Sequence, residues 1–169
     1  MKRSEIKIYT AGKTWAAHWF QNMRTYGFNI NARWIDVQQV LRDWNDEHPP
    51  EVLQNEQYKR KIWDDGCKID CLTCDMMILA CHPKDEDKHS GSLVELGHVT
   101  GQGKPCYILG TCASIEPVGH SDRAWKAQRV VRHWSEYDVT DPEQLYVAFR
   151  RAIRHYQRNY AEQWEAARA

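Results

Sequence analysis

One segment of the chain has the residue types and the spacing of a candidate catalytic site. It runs through Gly91 and Ser92 to Glu95, which Leu96 and Gly97 follow. A glycine lets a ligand come close to the backbone, and free backbone amides at the start of a helix favour an anionic group such as a phosphate. We therefore expect Glu95 to lie in the first turn of a short helix, behind a glycine that lets a ligand approach the backbone.

The cysteines are a second group of candidate functional residues, since thiolates can bind metals. Cys67, Cys71 and Cys74 have the spacing of the iron–sulfur motif of radical S-adenosylmethionine enzymes, and thiolates so spaced could hold a cluster. The same positions share one face of a helix, where cysteine packs as a small hydrophobe. A zinc site made of Cys71, Cys74, Cys81 and His82 is a further alternative, although Cys81 and His82 lack a paired spacing. We favour packing, and we predict neither a metal nor a cofactor.

The composition narrows the classes of protein to which this chain can belong. It has 169 residues, with 23 basic and 23 acidic side chains, and a pI near 7.1. This is the length of one domain, and the balanced charge excludes the strong basic field of a protein that grips polymeric nucleic acid. No apolar run approaches the ~20 residues of a membrane-spanning helix, and the N-terminus lacks a signal core. We expect a cytoplasmic protein with reduced cysteines and no membrane partner.

Hydrophobic periodicity predicts the strands and helices around these residues. Apolar segments predict five strands, at residues 6–10, 29–37, 75–81, 105–110 and 130–134. Helices are predicted at residues 14–27, at 58–63 after a polar loop at 45–51, around 93–99 and at 142–164. This alternation predicts a single α/β domain over residues 1–169, with a mostly parallel sheet.

The last predicted helix has the clearest local signals. Asp141 is a good N-cap, Pro142 stands at the first helical position and Gln144 completes a capping box. From Leu145 to Trp164, apolar residues recur at steps of three and four, which predicts a continuous amphipathic helix of about six or seven turns. We expect the tryptophan on this face to lie in the core or at a subunit interface.

In an open parallel sheet, ligands bind beyond the carboxyl ends of the strands. Two predicted loops meet at that edge, at residues 10–14 after the first strand and 82–91 after the central one. The first loop contains Gly12, and the second predicted strand closes on Asp36. We include Gly12 and Asp36 among the candidate substrate-binding residues.

The sequence between Asp75 and Tyr107 resembles the nucleoside 2-deoxyribosyltransferases and the related deoxynucleoside monophosphate N-glycosidases. That family's signature is a strand beginning with aspartate, a polar loop, a glycine, Glu-Leu-Gly, and Gly-Lys-Pro before the next strand. Here the signature residues stand in the same order, at Asp75, Gly91, residues 95–97 and residues 103–105. The segments at 8–12 and 130–134 also resemble the family's first strand and the final strand of its phage-type members.

The resemblance implies roles for three residues in catalysis. Glu95 matches the family's nucleophile, which would form a glycosyl ester, as in retaining glycosidases. Tyr9 would orient this carboxylate by a hydrogen bond. Asp70 matches an aspartate that would contact the base and manage its proton. The implied fold is a flavodoxin-like sandwich with five parallel strands in the order 2-1-3-4-5, and family members are homo-oligomers whose sites borrow side chains across a subunit boundary.

The resemblance also implies residues that bind the substrate, and the sequence departs from the family pattern at two positions and in a longer loop. Gly91 and Ser92 would lie near the sugar hydroxyl or the 5′ group. His89 stands where several members have aspartate or serine, and Cys67 stands where the transferases carry aspartate. We place His89 with the substrate-binding residues. Base preference, the 5′-phosphate and the choice between transfer and hydrolysis stay open.

Each catalytic candidate also has a purely structural interpretation. Glu95 could be an acid stabilised by a helix dipole, Tyr9 could fill the core, and Asp70 could be a solvated helix residue. With the signature around it, we favour catalysis for Glu95. The expected activity is cleavage or transfer at the N-glycosidic bond of a deoxyribonucleoside or its monophosphate. A nucleotide-binding sensor or sequestering module without turnover is the alternative.

Overall fold

The computed structural model describes residues 1–36, 66–85, 89–112 and 130–169. The predicted loop at 45–51 and the predicted helix at 58–63 lie outside these residues. Within them, a parallel sheet has four strands in the order β1-β2-β3-β4. The strands are β1 (Ile8–Ala11), β2 (Met76–Ala80), β3 (Cys106–Leu109) and β4 (Val131–Trp134).

Helices precede and follow these strands. They are α1 (Ala17–Thr25), α2 (Lys68–Thr73), α3 (Ser90–Thr100), α4 (Pro142–Asn159) and α5 (Ala161–Ala166), with short 3-10 helices at Arg3–Glu5 and Thr14–Ala16. The predicted α/β class and the parallel sheet are therefore confirmed. None of the helices in the described part of the chain is long and apolar enough to cross a membrane.

Helices cover both faces of the sheet. Every residue of β1, β2 and β3 is buried, as expected of parallel strands packed on both sides. Tyr107 of β3 points to α4, where its hydroxyl lies 2.9 Å from Nδ1 of His155. Because neighbouring side chains of a strand alternate, Cys106 and its register partners Met77 and Tyr9 point to the opposite face, towards α2 and α3.

The strand predicted at residues 29–37 is wrong in the described residues. Ile30 makes only an isolated parallel bridge with Ile8, and residues 34–36 are helical. The amide of Arg33, which would continue the pairing with β1, donates instead to Oδ2 of Asp70 at 2.8 Å, and the carbonyl of Thr10 accepts from Nε1 of Trp34 at 2.6 Å. Side chains thus take the backbone groups that would extend the pairing, and within the described residues the sheet has four strands rather than five.

The last helix is also shorter than predicted. α4 ends at Asn159, and α5 begins after Tyr160, whose φ is −130°. The Asn159 side chain donates to the carbonyl of His155 at 2.7 Å, which competes with continuation of the helix.

The start of α4 is confirmed in its main features. Asp141 caps it by accepting from the backbone amides of Glu143 and Gln144, and Pro142 is the first helical residue. The predicted capping box is wrong in one detail. Gln144 accepts from the backbone amide of Asp138 at 3.0 Å, not from that of Asp141.

Candidate functional site

Tyr9 and Glu95 lie together between the sheet and α3. The hydroxyl of Tyr9 donates to Oε1 of Glu95 at 2.8 Å, although 86 residues separate the two in the chain. Tyr9 is fully buried in β1, whereas Glu95 is partly buried. We call these two residues the acid pair. The hydrogen bond expected between them is present, and a catalytic role for it stays a prediction.

Glu95 lies in the second turn of α3, not in the first. The helix begins at Ser90, so Glu95 is its sixth residue. The helix-dipole effect falls off within the first turn, and the dipole interpretation of this carboxylate therefore loses its premise. The side chain points from the helix towards the sheet, where Tyr9 receives it.

The surroundings of the acid pair favour its neutral form. Burial raises the pKa of Glu95 to about 7, while hydrogen bonds from Tyr9 and Cys67 act in the opposite direction. Burial, followed by the charge of Glu95, holds the pKa of Tyr9 far above its usual value. Tyr9 is therefore a permanent donor, and Glu95 can be either a carboxylate or an acid near neutral pH. A group of this kind suits nucleophilic or acid–base chemistry.

Thiols form one wall around the acid pair. Cys67, Cys71 and Cys74 are all buried on α2 or at its ends and belong to the hydrophobic core, as the packing interpretation predicts. Burial first, and then the charge of Glu95, raises the pKa of Cys67 to about 11. In the part of the chain that the structure describes, these three thiols do not converge as metal ligands, nor do the four residues of the alternative zinc site.

Asp70 is buried, so the interpretation of it as a solvated residue is wrong. Its Oδ2 accepts from the backbone amide of Arg33 at 2.8 Å, and its Oδ1 accepts from Nε of Arg33 at 3.0 Å. Asp70 thus ties α2 to the segment that follows Ile30. Among the described residues, its hydrogen bonds go to this segment rather than to the acid pair, and its contact with a base stays a prediction.

Three predicted substrate-binding residues lie around the start of α3. Gly91 is exposed, with open space where a side chain would stand, while Ser92 is buried. His89 is only 2% exposed, and its Nε2 lies 3.0 Å from Oδ2 of Asp85. His89 is therefore part of a buried polar group rather than an open binding surface.

The other two predicted substrate-binding residues lie near the end of β1. A side chain at Gly12 would place a Cβ 3.1 Å from the carbonyl oxygen of Ala80, so close packing of β1 against β2 favours glycine there. Asp36 is exposed and forms an ion pair with Arg24. The structure does not bring Asp36 into contact with the acid pair.

Asp85 organises a second polar group that the sequence analysis did not identify. Its carboxylate accepts from Nε1 of Trp15 at 2.7 Å and from the backbone amide of His82 at 2.9 Å, in addition to its contact with His89. These residues stand at the carboxyl ends of β1 and β2. The rule that ligands bind beyond the carboxyl ends of parallel strands indicated this edge, but no local motif indicated Asp85.

Two cysteines complete this second group. One ligand atom each from Cys81, His89 and Cys112 lies within 4.8 Å of the other two. We call these three residues the Cys–His cluster. Cys81 follows β2 directly, and Cys112 follows β3 after two intervening residues. A search of the residues that follow buried strands could have found both cysteines from the sequence.

A basic groove lies on α4 and β4, away from both groups. It encloses about 820 Å³ and is lined by aromatic side chains and five arginines, Arg132, Arg150, Arg151, Arg154 and Arg158. Burial and then the charges of three of these arginines lower the pKa of His155. The net charge of zero conceals this local excess of positive charge.

Comparison with protein-family models, with curated proteins and with solved structures returns no match for this chain. The family resemblance therefore rests on the sequence motifs alone, and the activity that it implies is a proposal.

Proposed function

We propose that this protein cleaves or transfers the N-glycosidic bond of a deoxyribonucleoside or its monophosphate, with Glu95 as the nucleophile. The observation that carries the proposal is the hydrogen bond from Tyr9 to Glu95, because it fixes the orientation of the carboxylate. The signature around Glu95 supplies the substrate class.

The reaction has two steps. The Glu95 carboxylate forms a bond to the anomeric carbon while the bond from that carbon to the base breaks. The electron pair of that bond leaves with the base nitrogen, which takes a proton from solvent, and Asp70 is our candidate for contacting the base and managing that proton. Water or a second base then displaces Glu95 from the glycosyl ester and restores the carboxylate.

The surroundings of Glu95 suit this chemistry. A carboxylate with a pKa near 7 is a stronger nucleophile than an ordinary one, because basicity and nucleophilicity rise together. Tyr9 stays protonated and can stabilise the carboxylate when the ester breaks down. As parts of the same proposal we retain a cytoplasmic homo-oligomer and a small nucleoside or nucleotide as the substrate.

The test is to incubate the full chain with deoxynucleosides and their monophosphates and to measure free base by chromatography. An acceptor base is included in half of the reactions, which separates transfer from hydrolysis. We expect product with the native protein and a covalent deoxyribosyl adduct on Glu95 in mass spectra of the quenched enzyme. Tight binding of a nucleotide without any product would favour the sensor or sequestering module instead.

Glu95→Gln is the variant that tests the nucleophile, since glutamine keeps the size and the acceptor for Tyr9. Glu162→Gln is the matched control, because Glu162 is an exposed acid on α5. Unchanged activity of a folded Glu95→Gln protein would contradict the assignment.

A further inference from the structure

We propose that the Cys–His cluster binds one Zn²⁺ ion, with Cys81, His89 and Cys112 as its protein ligands. Their three ligand atoms come within 4.8 Å of one another, and all three residues are buried. In a tetrahedral zinc site, bond lengths near 2.3 Å to sulfur and 2.0 Å to nitrogen set ligand separations of roughly 3.5–3.8 Å. The ligands therefore need to approach by at most about 1.3 Å, which side-chain rotation can provide.

The backbone brings the two cysteines together at the carboxyl edge of the sheet. The amide of Cys81 donates to the carbonyl of Leu109 at 2.9 Å, which extends the β2–β3 ladder to the cluster. Gly110 has a φ of +73°, and a Cβ there would lie 2.2 Å from the carbonyl oxygen of Cys81. Only glycine fits this turn, and the turn leads directly to Cys112.

Asp85 supports His89 as a carboxylate commonly supports a metal-binding histidine. Oδ2 of Asp85 lies 3.0 Å from Nε2 of His89, while Trp15 and the His82 amide hold the carboxylate in place. When Nε2 donates to Asp85, Nδ1 is the ring nitrogen that ligates the metal. Such carboxylate–histidine–zinc arrangements fix the tautomer and the orientation of the ring.

The donor set matches the charge and the softness of zinc. Two thiolates neutralise the dication, and a neutral imidazole adds no charge, so the metal and its ligands carry no net charge in a buried position. On binding, each of the two thiols loses its proton to solvent, and no electrons are transferred. Cysteine sulfur and imidazole nitrogen are the ligands that Zn²⁺ takes most often in proteins.

A pocket adjoins the site at Cys81. It encloses about 290 Å³ and includes Cys81, His82 and Asp138 in its walls. Of the four residues in the zinc alternative considered from the sequence, the proposed site contains only Cys81. It is independent of the proposed glycosidic activity, because metal content is measured without substrate.

The test begins with the full chain, purified under reducing conditions and stripped of metal. Titration with Zn²⁺, followed by elemental analysis after gel filtration, should give one zinc per chain. Titration with Co²⁺ should give the near-ultraviolet charge-transfer band of thiolate ligation and the visible bands of a tetrahedral site. Absence of both bound zinc and the cobalt bands would overturn the proposal. It would also be overturned if Cys81 and Cys112 formed a disulfide in the purified protein and the chain still bound no metal once that disulfide was reduced.

Variants assign the ligands. Cys112→Ser and His89→Gln should each weaken zinc binding by at least about 100-fold, and Asp85→Asn by about 10- to 100-fold. Cys106→Ala is the matched control, because Cys106 is a buried thiol of β3 on the face towards α2 and should leave affinity unchanged. Equal loss in Cys106→Ala and Cys112→Ser would overturn the assignment. If a ligand variant fails to fold, the cobalt bands of the native chain decide whether thiolates bind the metal.

Discussion

The acid pair and the Cys–His cluster occupy different parts of the same sheet. The acid pair lies on one face, where Tyr9 of β1 meets Glu95 of α3. The Cys–His cluster lies at the carboxyl edge, where chain segments leave β2 and β3 and enter α3. Both depend on α3, which carries Glu95 and has His89 as its N-cap. One helix thus positions two chemically distinct groups. One is a carboxyl group with a pKa near neutral pH, and the other is a set of soft metal ligands.

The comparison also shows how burial affects each group. Burial raises the pKa of Glu95 to about 7 and, in the absence of a metal, raises the pKa of Cys81 well above that of a free thiol. Near neutral pH, Glu95 can both lose and regain its proton. The thiol of Cys81 stays protonated until a cation replaces the proton.

The largest effect is expected from Glu95→Gln. Loss of the nucleophile should lower the rate of base release by about 10³-fold or more, because an amide does not form the ester intermediate. Product chromatography measures this rate, with Glu162→Gln as the control. Zinc affinity should be the same in both variants, and a loss of zinc binding in Glu95→Gln would contradict the separation of the two groups.

Zinc should stabilise the native chain by mass action. At a free concentration of 100 times Kd, the free energy of unfolding should rise by about 2.7 kcal/mol, since the unfolded chain lacks the site. Thermal unfolding with zinc and with a chelator measures the shift in Tm. Cys112→Ser should show no such shift, whereas Tyr9→Phe should show the full one.

The difference in stability between Glu95→Gln and the native protein should depend on pH. Because the folded pKa of Glu95, about 7, lies above its ordinary value of 4.5, the unfolded state ionises first and the native protein loses stability between pH 4.5 and 7. Glutamine avoids this cost, so the variant should be more stable than the native protein by on the order of 2 kcal/mol at pH 8. Denaturant unfolding should show no such advantage at pH 4.

Tyr9→Phe should have a smaller effect that is visible in the pH profile. Its hydrogen bond lowers the pKa of Glu95, so its loss should move the rising limb of kcat/KM to higher pH. The activity lost at pH 7 should therefore recover in part at pH 8.5. Stability should fall by about 1 kcal/mol, because a buried hydrogen bond is removed. An unshifted profile would mean that Tyr9 only fills the core.

The smallest effect on stability is expected from Asp70→Asn. The ion pair with Arg33 is partly exposed, and asparagine can still accept from the Arg33 amide, so the loss should be below about 1 kcal/mol. If Asp70 manages the proton of the base, activity should fall at least tenfold despite this mild change. Arg33→Ala is the control, since it removes the same ion pair but leaves the carboxylate. Equal activity of the two variants would assign Asp70 to structure alone.

Several elements were predictable because local physical chemistry decides them. β2 and β3 are continuous apolar runs, as strands covered on both faces require. Asp141 and Pro142 begin α4 as their side chains dictate. The error at the predicted second strand has a tertiary cause, because the Asp70 carboxylate takes the Arg33 amide that would have paired with β1. The break in the last helix is local, because the Asn159 side chain bonds the carbonyl of His155 in the same helix.

By itself, the sequence determined the α/β class, the parallel strands and the candidacy of Glu95, because apolar periodicity and a compact motif are local properties. The tertiary structure pairs Asp70 with Arg33 and brings Cys81 and Cys112 to His89, neither of which the sequence predicted. It also contains the hydrogen bond from Tyr9 to Glu95 that the family resemblance implied. The physical reason is that a parallel sheet aligns strands distant in the chain. Register and the turn at Gly110, rather than spacing, set which side chains share a site.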